Sequence, residues 1–193
     1  LTTWVDDTVG RMLDVLDRTG LSEDTIVVFT SDHGDNLGSQ GLVQKGGPNE
    51  EAIRIPFIIR WPGLGAPQVN QTHVASLVDL APTLLSLLGA EIPRHFQGRD
   101  LAPLCCGESS DVPPHAIVET GAGAGIRTLN HMYYLPFDGH HELAEAPTQF
   151  FDLARDPYQM RNLAQEDSPP MPARELDDTL RRWSAETPWM TAE

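Results

Sequence analysis

Residues 25–63 read TIVVFTSDHGDNLGSQGLVQKGGPNEEAIRIPFIIRWPG, and this stretch decides the fold. Its two apolar runs, 25–30 and 55–60, are rich in β-branched residues, which is typical of strands buried on both faces of a sheet. A glycine-rich loop, 31–48, joins the two runs. In open α/β sheets, ligands bind beyond the carboxyl ends of the strands, so we expect catalytic or ligand-binding residues in this loop.

Helical patterns lie on both sides of this stretch. Apolar residues recur at helical spacing over residues 5–18, and Gly20 is a plausible stop signal. Residues 76–88 form a second such pattern, which ends at Gly89. The order helix, strand, loop, strand, helix predicts an α/β fold in which helices flank a sheet.

The second half of the chain shows a different pattern of predicted elements. Short β-like segments at 115–119, 125–129, 131–135 and 149–153 have short connections, which predicts an antiparallel meander. A last amphipathic helix is predicted over residues 173–185. We therefore predict an α/β portion over 1–104 and a smaller α+β subdomain with an antiparallel sheet over 105–193.

The charge balance excludes several classes of partner. The chain of 193 residues has 13 Lys+Arg and 28 Asp+Glu, a formal net charge of −15, and Lys45 is its only lysine. Nucleic acid needs a basic face and an anionic membrane surface attracts one, so we expect neither as a partner. No apolar run approaches the roughly 20 residues of a membrane span.

The start of the chain and its cysteines bear on its origin. The chain begins at Leu1 without methionine, which fits either a processed chain or a start inside a longer protein. The adjacent Cys105 and Cys106 are expected to be reduced, because a vicinal disulfide is strained. Reduced cysteines favour a reducing, cytoplasmic compartment, and any signal peptide would lie upstream of this chain.

Three residues of the glycine-rich loop are candidates for chemistry. Asp32 and His33 follow the first strand, and Gly34 frees the backbone so that both side chains can turn toward one point. A carboxylate oxygen and an imidazole nitrogen make half of a divalent-cation site; the alternative is a simple turn with a surface histidine. Lys45 can bind an anionic ligand as a mobile point charge, and the alternative is a solvated surface lysine.

The same stretch closely resembles the sulfatase family of the alkaline-phosphatase-like superfamily. Further pieces occur in the order that the family has them. They are VDD and VGR over 5–11, VDLAPT over 78–83, QGRDL over 97–101 and FFDL to NLA over 150–164. The resemblance implies that the α/β portion is the C-terminal part of an alkaline-phosphatase-like sheet, and that the small subdomain follows it.

The resemblance also implies roles for the loop residues. Asp32 and His33 match two ligands of a divalent cation, with Ca²⁺ the first expectation and Mn²⁺ or Mg²⁺ the alternatives. Lys45 matches the lysine that contacts the ester oxygens of a small sulfated substrate, which makes it the expected catalytic and substrate-binding residue. Glu50, Glu51 and Arg54 (positions that also match the family) are interpreted as an ion-pair scaffold.

The nucleophile of the family is absent from this sequence. Its signature, Cys or Ser followed by x-Pro/Ala-x-Arg, does not occur, and neither does the family's N-terminal pair of metal-binding aspartates. The formylglycine nucleophile is therefore expected upstream of this chain. The chain resembles the C-terminal part of a sulfatase, and we expect it to be inactive alone and to bind metal weakly.

Two other functions remain open from the sequence. Phosphonate monoester and phosphodiester hydrolases of the superfamily share the Asp-His pair and the lysine, so a phosphorylated ester is the alternative substrate. A non-catalytic relative that only binds an anion is the third possibility. The sequence leaves the oligomeric state open.

Two further residues of the sequence bear on substrate binding. Gln40 lies where many relatives have histidine, and it affects selectivity only if it touches substrate. His140, beside Gly139, is a weak candidate for a substrate contact, with a solvated loop as the alternative.

Overall fold

The computed structural model describes residues 1–138, 142–166 and 172–187. Its first helix, α1 (Thr2–Thr19), covers the predicted 5–18 segment. Gly20 ends the helix in the left-handed conformation, with φ 72°. Glycine takes this conformation without a steric penalty, which is why it stops the helix at the predicted place.

The two strands of the opening stretch pair with each other in antiparallel fashion. Strand β1 (Val27–Thr30) lies against β2 (Phe57–Arg60), and Phe29 is the direct cross-strand partner of Ile58. The prediction that both strands are buried on both faces is wrong for the described residues: Phe29 is 36% exposed and Ile58 is 58% exposed. Since these partners share one face of a two-stranded ladder, the face without a covering layer leaves both side chains open.

Short helices lie before and after β2. The loop after β1 ends in α2 (Glu50–Ile53). The predicted 76–88 helix is a 3₁₀ turn (Leu77–Asp79) followed by α3 (Leu80–Leu87). A single turn, α4 (Ala102–Cys105), comes next, and the predicted boundary at 104/105 falls at its end. That boundary remains a prediction.

The second half forms the expected antiparallel meander. Four strands, β3 (Ala116–Thr120), β4 (Gly123–Arg127), β5 (His131–Pro136) and β6 (Gln149–Asp152), pair in chain order. Helix α5 (Pro172–Glu186) covers one face of this sheet. The core between them contains Ala124, Ile126, Tyr133, Leu135, Phe150, Leu176 and Leu180.

A buried ion pair joins α3 to the start of the second half. Asp79 is 1% exposed and accepts from Arg99 through both carboxylate oxygens, with the Nη2–Oδ2 distance at 2.5 Å. The guanidinium of Arg99 also donates to the carbonyl oxygens of Val74, Pro113 and His115. These bonds tie three separate segments to one cation, so the pair is a structural centre of the fold.

The stability of the chain should fall in mild acid because of His115. Burial lowers the pKa of the half-buried imidazole, and the nearby Arg99 guanidinium lowers it further. The unfolded chain therefore binds more protons than the folded chain just below the ordinary histidine pKa of about 6.5, and folded stability is lost as the pH falls through that range. We expect the urea midpoint of the wild type to drop more than that of His115→Gln between pH 7.5 and 5.5. Equal drops in the two proteins would contradict this assignment.

None of the helices in the described part of the chain has both the length and the apolar character that crossing a membrane requires.

Candidate functional site

The loop after β1 brings Asp32 and His33 together at its first bend. The distance between Asp32 Oδ2 and His33 Nε2 is 3.2 Å. The hydroxyl of Ser31 donates to the carbonyl oxygen of His33 at 2.7 Å and closes this turn. In a regular strand neighbouring side chains point to opposite faces, so the bend is what makes the two donors converge.

The hydrogen bonds of His33 fix which ring nitrogen is free. His33 Nδ1 lies 2.7 Å from the carbonyl oxygen of Gly34. A carbonyl can only accept, so Nδ1 carries the proton and donates. Nε2 then carries a lone pair that faces the Lys45 ammonium, and a ring nitrogen with a lone pair is the form of histidine that ligates a metal.

Lys45 joins the pair from the other end of the loop. Its Nζ lies 2.5 Å from His33 Nε2, and the ammonium donates to that lone pair. The structure thus brings together all three residues that the sequence predicted, Asp32, His33 and Lys45. Their roles as metal ligands and ester-binding residue remain predictions.

The Asp32 carboxylate is kept charged by its surroundings. The backbone N–H of His33 donates to Asp32 Oδ1 at 2.9 Å, and this bond is the main reason that the pKa of Asp32 lies below its ordinary value. The carboxylate itself is open to solvent, with the side chain 80% exposed. An ionised, accessible carboxylate is the form that can bind a cation.

Gly34 lets the loop lie directly on α2. The Gly34 N–H donates to the carbonyl oxygen of Ala52 at 2.8 Å, and a Cβ at Gly34 would sit 2.0 Å from the carbonyl oxygen of Glu51. Any larger residue would push the turn off α2. Glycine is therefore required here by a close approach of backbone rather than by an unusual φ.

The second half of the chain holds the far end of the loop. Gln159 is 4% exposed; its Oε1 accepts from the Glu50 N–H at 2.7 Å and its Nε2 donates to the Pro48 carbonyl oxygen at 3.4 Å. The neighbouring Tyr158 carbonyl oxygen accepts from Gln40 Nε2 at 2.7 Å. The loop that carries the candidate residues is thus held at three points by residues 158–159.

Both ends of the Gln40 amide form hydrogen bonds that hold the loop. Its Oε1 accepts from Asn49 Nδ2 while its Nε2 binds the Tyr158 carbonyl oxygen. Of the two alternatives stated for this position, the geometry favours packing of the loop over contact with substrate.

The partner of Glu50 is a residue that the sequence did not indicate. Arg127 on β4 makes a two-pronged ion pair with it, at 2.7 and 2.8 Å, and both side chains are mostly buried. The sequence suggested Arg54 instead because it is close along the chain. Arg127 is 77 positions away and Gln159 is 109 away, so no local pattern points to either residue.

Two further observations concern the predicted ligands of the site. His140 lies outside the described residues, so its predicted substrate contact stays a prediction. Within residues 1–138, 142–166 and 172–187, no cluster of three or more His, Cys, Asp or Glu side chains could hold a metal ion. The described chain therefore offers the two converging donors, Asp32 and His33, as a partial site.

Comparison with known proteins places this geometry in a family. The Sulfatase family matches residues 1–90, which include the whole loop. The ulvan-active sulfatase of Formosa agariphila is 34% identical over 197 residues, 95% of this chain and 37% of that protein. The chain belongs to the sulfatase family. The fold class predicted from the sequence, part of an alkaline-phosphatase-like α/β fold, is thereby confirmed.

Other members of the superfamily are also similar to this chain. The multifunctional alkaline phosphatase superfamily protein PehA of Trinickia caryophylli is 34% identical over 184 residues, 85% of this chain and 35% of that protein. A phosphonate monoester hydrolase from Silicibacter pomeroyi superposes with a TM-score of 0.81 at 27% identity, over 99% of this chain and 40% of that one. This sulfatase-family chain thus spans little more than a third of the curated relatives it matches.

Proposed function

We propose that this chain is the C-terminal part of a sulfatase that hydrolyses sulfate esters. The observation that carries the proposal is that Asp32 Oδ2 and Lys45 Nζ both lie within 3.2 Å of His33 Nε2. A carboxylate and a neutral imidazole bind a divalent cation, and an ammonium binds an anionic oxygen. Membership of the sulfatase family supports sulfate esters as the substrate class.

The two donors fit neighbouring positions on one cation. Ligands at right angles on Ca²⁺, at 2.3–2.6 Å from it, lie about 3.3–3.7 Å apart, and those on a smaller ion such as Mg²⁺ about 2.9 Å. The observed 3.2 Å separation falls between these two values, just below the Ca²⁺ range. Because imidazole is a softer ligand than oxygen, Mn²⁺ is a serious alternative to Ca²⁺.

The groups of this chain would act on the charge of the ester. The bound cation supplies Lewis-acid stabilisation of negative charge on the non-bridging oxygens. The Lys45 ammonium would bind one of these oxygens and strengthen that bond as charge grows in the transition state. The nucleophile, a formylglycine in this proposal, and the remaining cation ligands belong to a part upstream of Leu1. We call the protein that contains both parts the full-length sulfatase.

Phosphonate monoester hydrolysis is the second candidate. Its substrate also carries a single negative charge on non-bridging oxygens, which the same cation and ammonium would bind. The superposition on the phosphonate monoester hydrolase favours it specifically. Turnover of p-nitrophenyl sulfate, p-nitrophenyl phenylphosphonate and bis-p-nitrophenyl phosphate by the full-length sulfatase separates the candidates. Anion binding without turnover of any of the three would instead support the non-catalytic reading.

The proposal predicts opposite effects of two substitutions on metal binding by this chain. Weak Mn²⁺ binding, followed by electron paramagnetic resonance, should be lost in His33→Ala. It should strengthen several-fold in Lys45→Ala, because the ammonium occupies the same lone pair and repels a cation by about 1 kcal/mol per unit charge at 4 Å in water.

The control for this measurement is His73→Ala, which removes a partly exposed histidine outside the loop and should leave binding unchanged. Equal affinities in wild type and His33→Ala would refute the assigned metal site. The isolated chain should not hydrolyse any of the three esters, and measurable arylsulfatase activity from it would overturn the upstream placement of the nucleophile.

A further inference from the structure

Asp35 and Asn36 form a brace on the residue that precedes Lys45. The backbone N–H and the side-chain Nδ2 of Asn36 both donate to the carbonyl oxygen of Gln44, each at 2.8 Å. Asp35 Oδ1 accepts from the Gln44 N–H at 3.2 Å. Three hydrogen bonds therefore fix the backbone N–H and the carbonyl group of Gln44, one residue before the candidate lysine.

The hydrogen bonds of this brace stabilise an unfavourable backbone conformation at Gln44. Gln44 has φ 61°, in the left-handed region, which costs a residue with a side chain of order 1 kcal/mol. Its side chain does not anchor it, because Gln44 is exposed. The hydrogen bonds from residues 35–36 are what keep the chain turned at this point, and the turn sets the direction in which Lys45 leaves the loop.

Burial of apolar side chains does not stabilise this conformation of the loop. Leu37 is 87% exposed and Val43 is 73% exposed, so these two apolar side chains face outward. Asn36, by contrast, is 3% exposed. It is the buried member of this part of the loop, and a polar one.

The hydrogen bond to Gln44 also fixes the orientation of the Asn36 side-chain amide. Its Nδ2 faces the Gln44 carbonyl oxygen, while its Oδ1 accepts no hydrogen bond from the described residues. Turning the amide over would bring two acceptor oxygens together. Asn36 thus keeps an unpaired buried acceptor in order to donate to Gln44, at a desolvation cost that a merely space-filling side chain would avoid.

We propose that Asn36 is a positioning residue for Lys45, acting through the Gln44 peptide. This inference rests on the proposed function, in which Lys45 binds the ester oxygens. Asn36 reaches neither Lys45 nor the Asp32–His33 pair through any hydrogen bond described for it. Its effect on turnover must therefore pass through the lysine.

The test is Asn36→Asp in the full-length sulfatase. Aspartate has the same shape, but when ionised it can only accept, so it loses the bond to Gln44 and faces that carbonyl with like partial charge. Since a misplacement of about 1 Å can cost a factor of 100, we expect kcat for p-nitrophenyl sulfate to fall 10- to 100-fold. Asn70→Asp is the matched control: Asn70 Nδ2 donates to the His73 carbonyl oxygen at 2.9 Å in an exposed segment outside the loop, and its loss should leave kcat within twofold.

A double-mutant cycle with Lys45→Ala separates positioning from general structural damage. In the Lys45→Ala background, Asn36→Asp should change kcat less than twofold, because the group that it positions is already gone. Losses that multiply would overturn the inference, as would an Asn36→Asp protein as active as Asn70→Asp. If Asn36→Asp does not fold, Asn36→Ala, which keeps the backbone bond to Gln44, goes through the same cycle with the same two outcomes.

The failure of the proposed function would look different. It would appear as full turnover in the Lys45→Ala single variant, whatever Asn36 does. A loss in Asn36→Asp alongside that result would show that Asn36 acts by another route, and the inference would fall with it.

Discussion

We expect Lys45→Ala to lower kcat/KM of the full-length sulfatase for p-nitrophenyl sulfate by a factor of about 100 to 1,000, the usual cost of removing one donor to a developing oxyanion. The physical reason is that the Lys45 ammonium lies beside the Asp32–His33 pair, where it would offset the negative charge of an ester in a chain whose net charge is −15. Its Nζ already lies beside His33 Nε2 and needs no large movement to reach an anion bound at the same point.

Two variants make this expectation specific. Lys45→Arg keeps the charge but replaces a compact ammonium with a planar, bulkier guanidinium, so we expect partial activity only. Arg155→Ala removes a cation from a side chain that is 89% exposed and should leave kcat/KM unchanged. Initial rates, with the melting temperature as a check of folding, decide the outcome. A loss below fivefold in a folded Lys45→Ala protein would remove Lys45 from the proposed reaction.

Local signals predicted much of the fold. The bounds of α1 follow from helical spacing and from Gly20, both of which lie within a few residues of what they determine. The meander of β3 to β6 was predictable because short connections leave antiparallel pairing as the simple outcome. The convergence of Asp32 with His33 was predictable for the same reason, since it needs only a bend after β1.

Contacts between distant residues were not predictable in this way. The composition of β1 suits a strand in the middle of a sheet, yet Phe29 is partly exposed because burial depends on what packs over the strand. Arg127 and Gln159 contact Glu50 from the second half of the chain, and nothing near them in the sequence marks them as its partners. Asn36 gave no signal either, since its role depends on where the loop returns eight residues later.

Asp79→Ala should destabilise the protein by about 3–5 kcal/mol, the range observed when one partner of a buried ion pair is removed. The carboxylate accepts from the guanidinium of Arg99 and from two backbone N–H groups, that of Ser76 at 2.9 Å and that of Arg99 at 2.8 Å. Alanine leaves these donors unpaired, with the Arg99 side chain only 21% exposed. Urea unfolding followed by circular dichroism measures the loss.

The size of this effect depends on burial rather than on the presence of an ion pair. Glu166→Ala breaks a pair with Arg161 whose Nη2–Oε1 distance is also 2.5 Å, but whose side chains are 75% and 39% exposed. Water replaces the lost partner there, so we expect a change below about 1 kcal/mol. Asp79→Asn should fall between the two, because the amide keeps the shape and loses the charge. If Asp79→Ala and Glu166→Ala cost the same, the Asp79–Arg99 pair does not anchor the three segments that meet on Arg99, and the residues around α3 must be held by apolar packing instead.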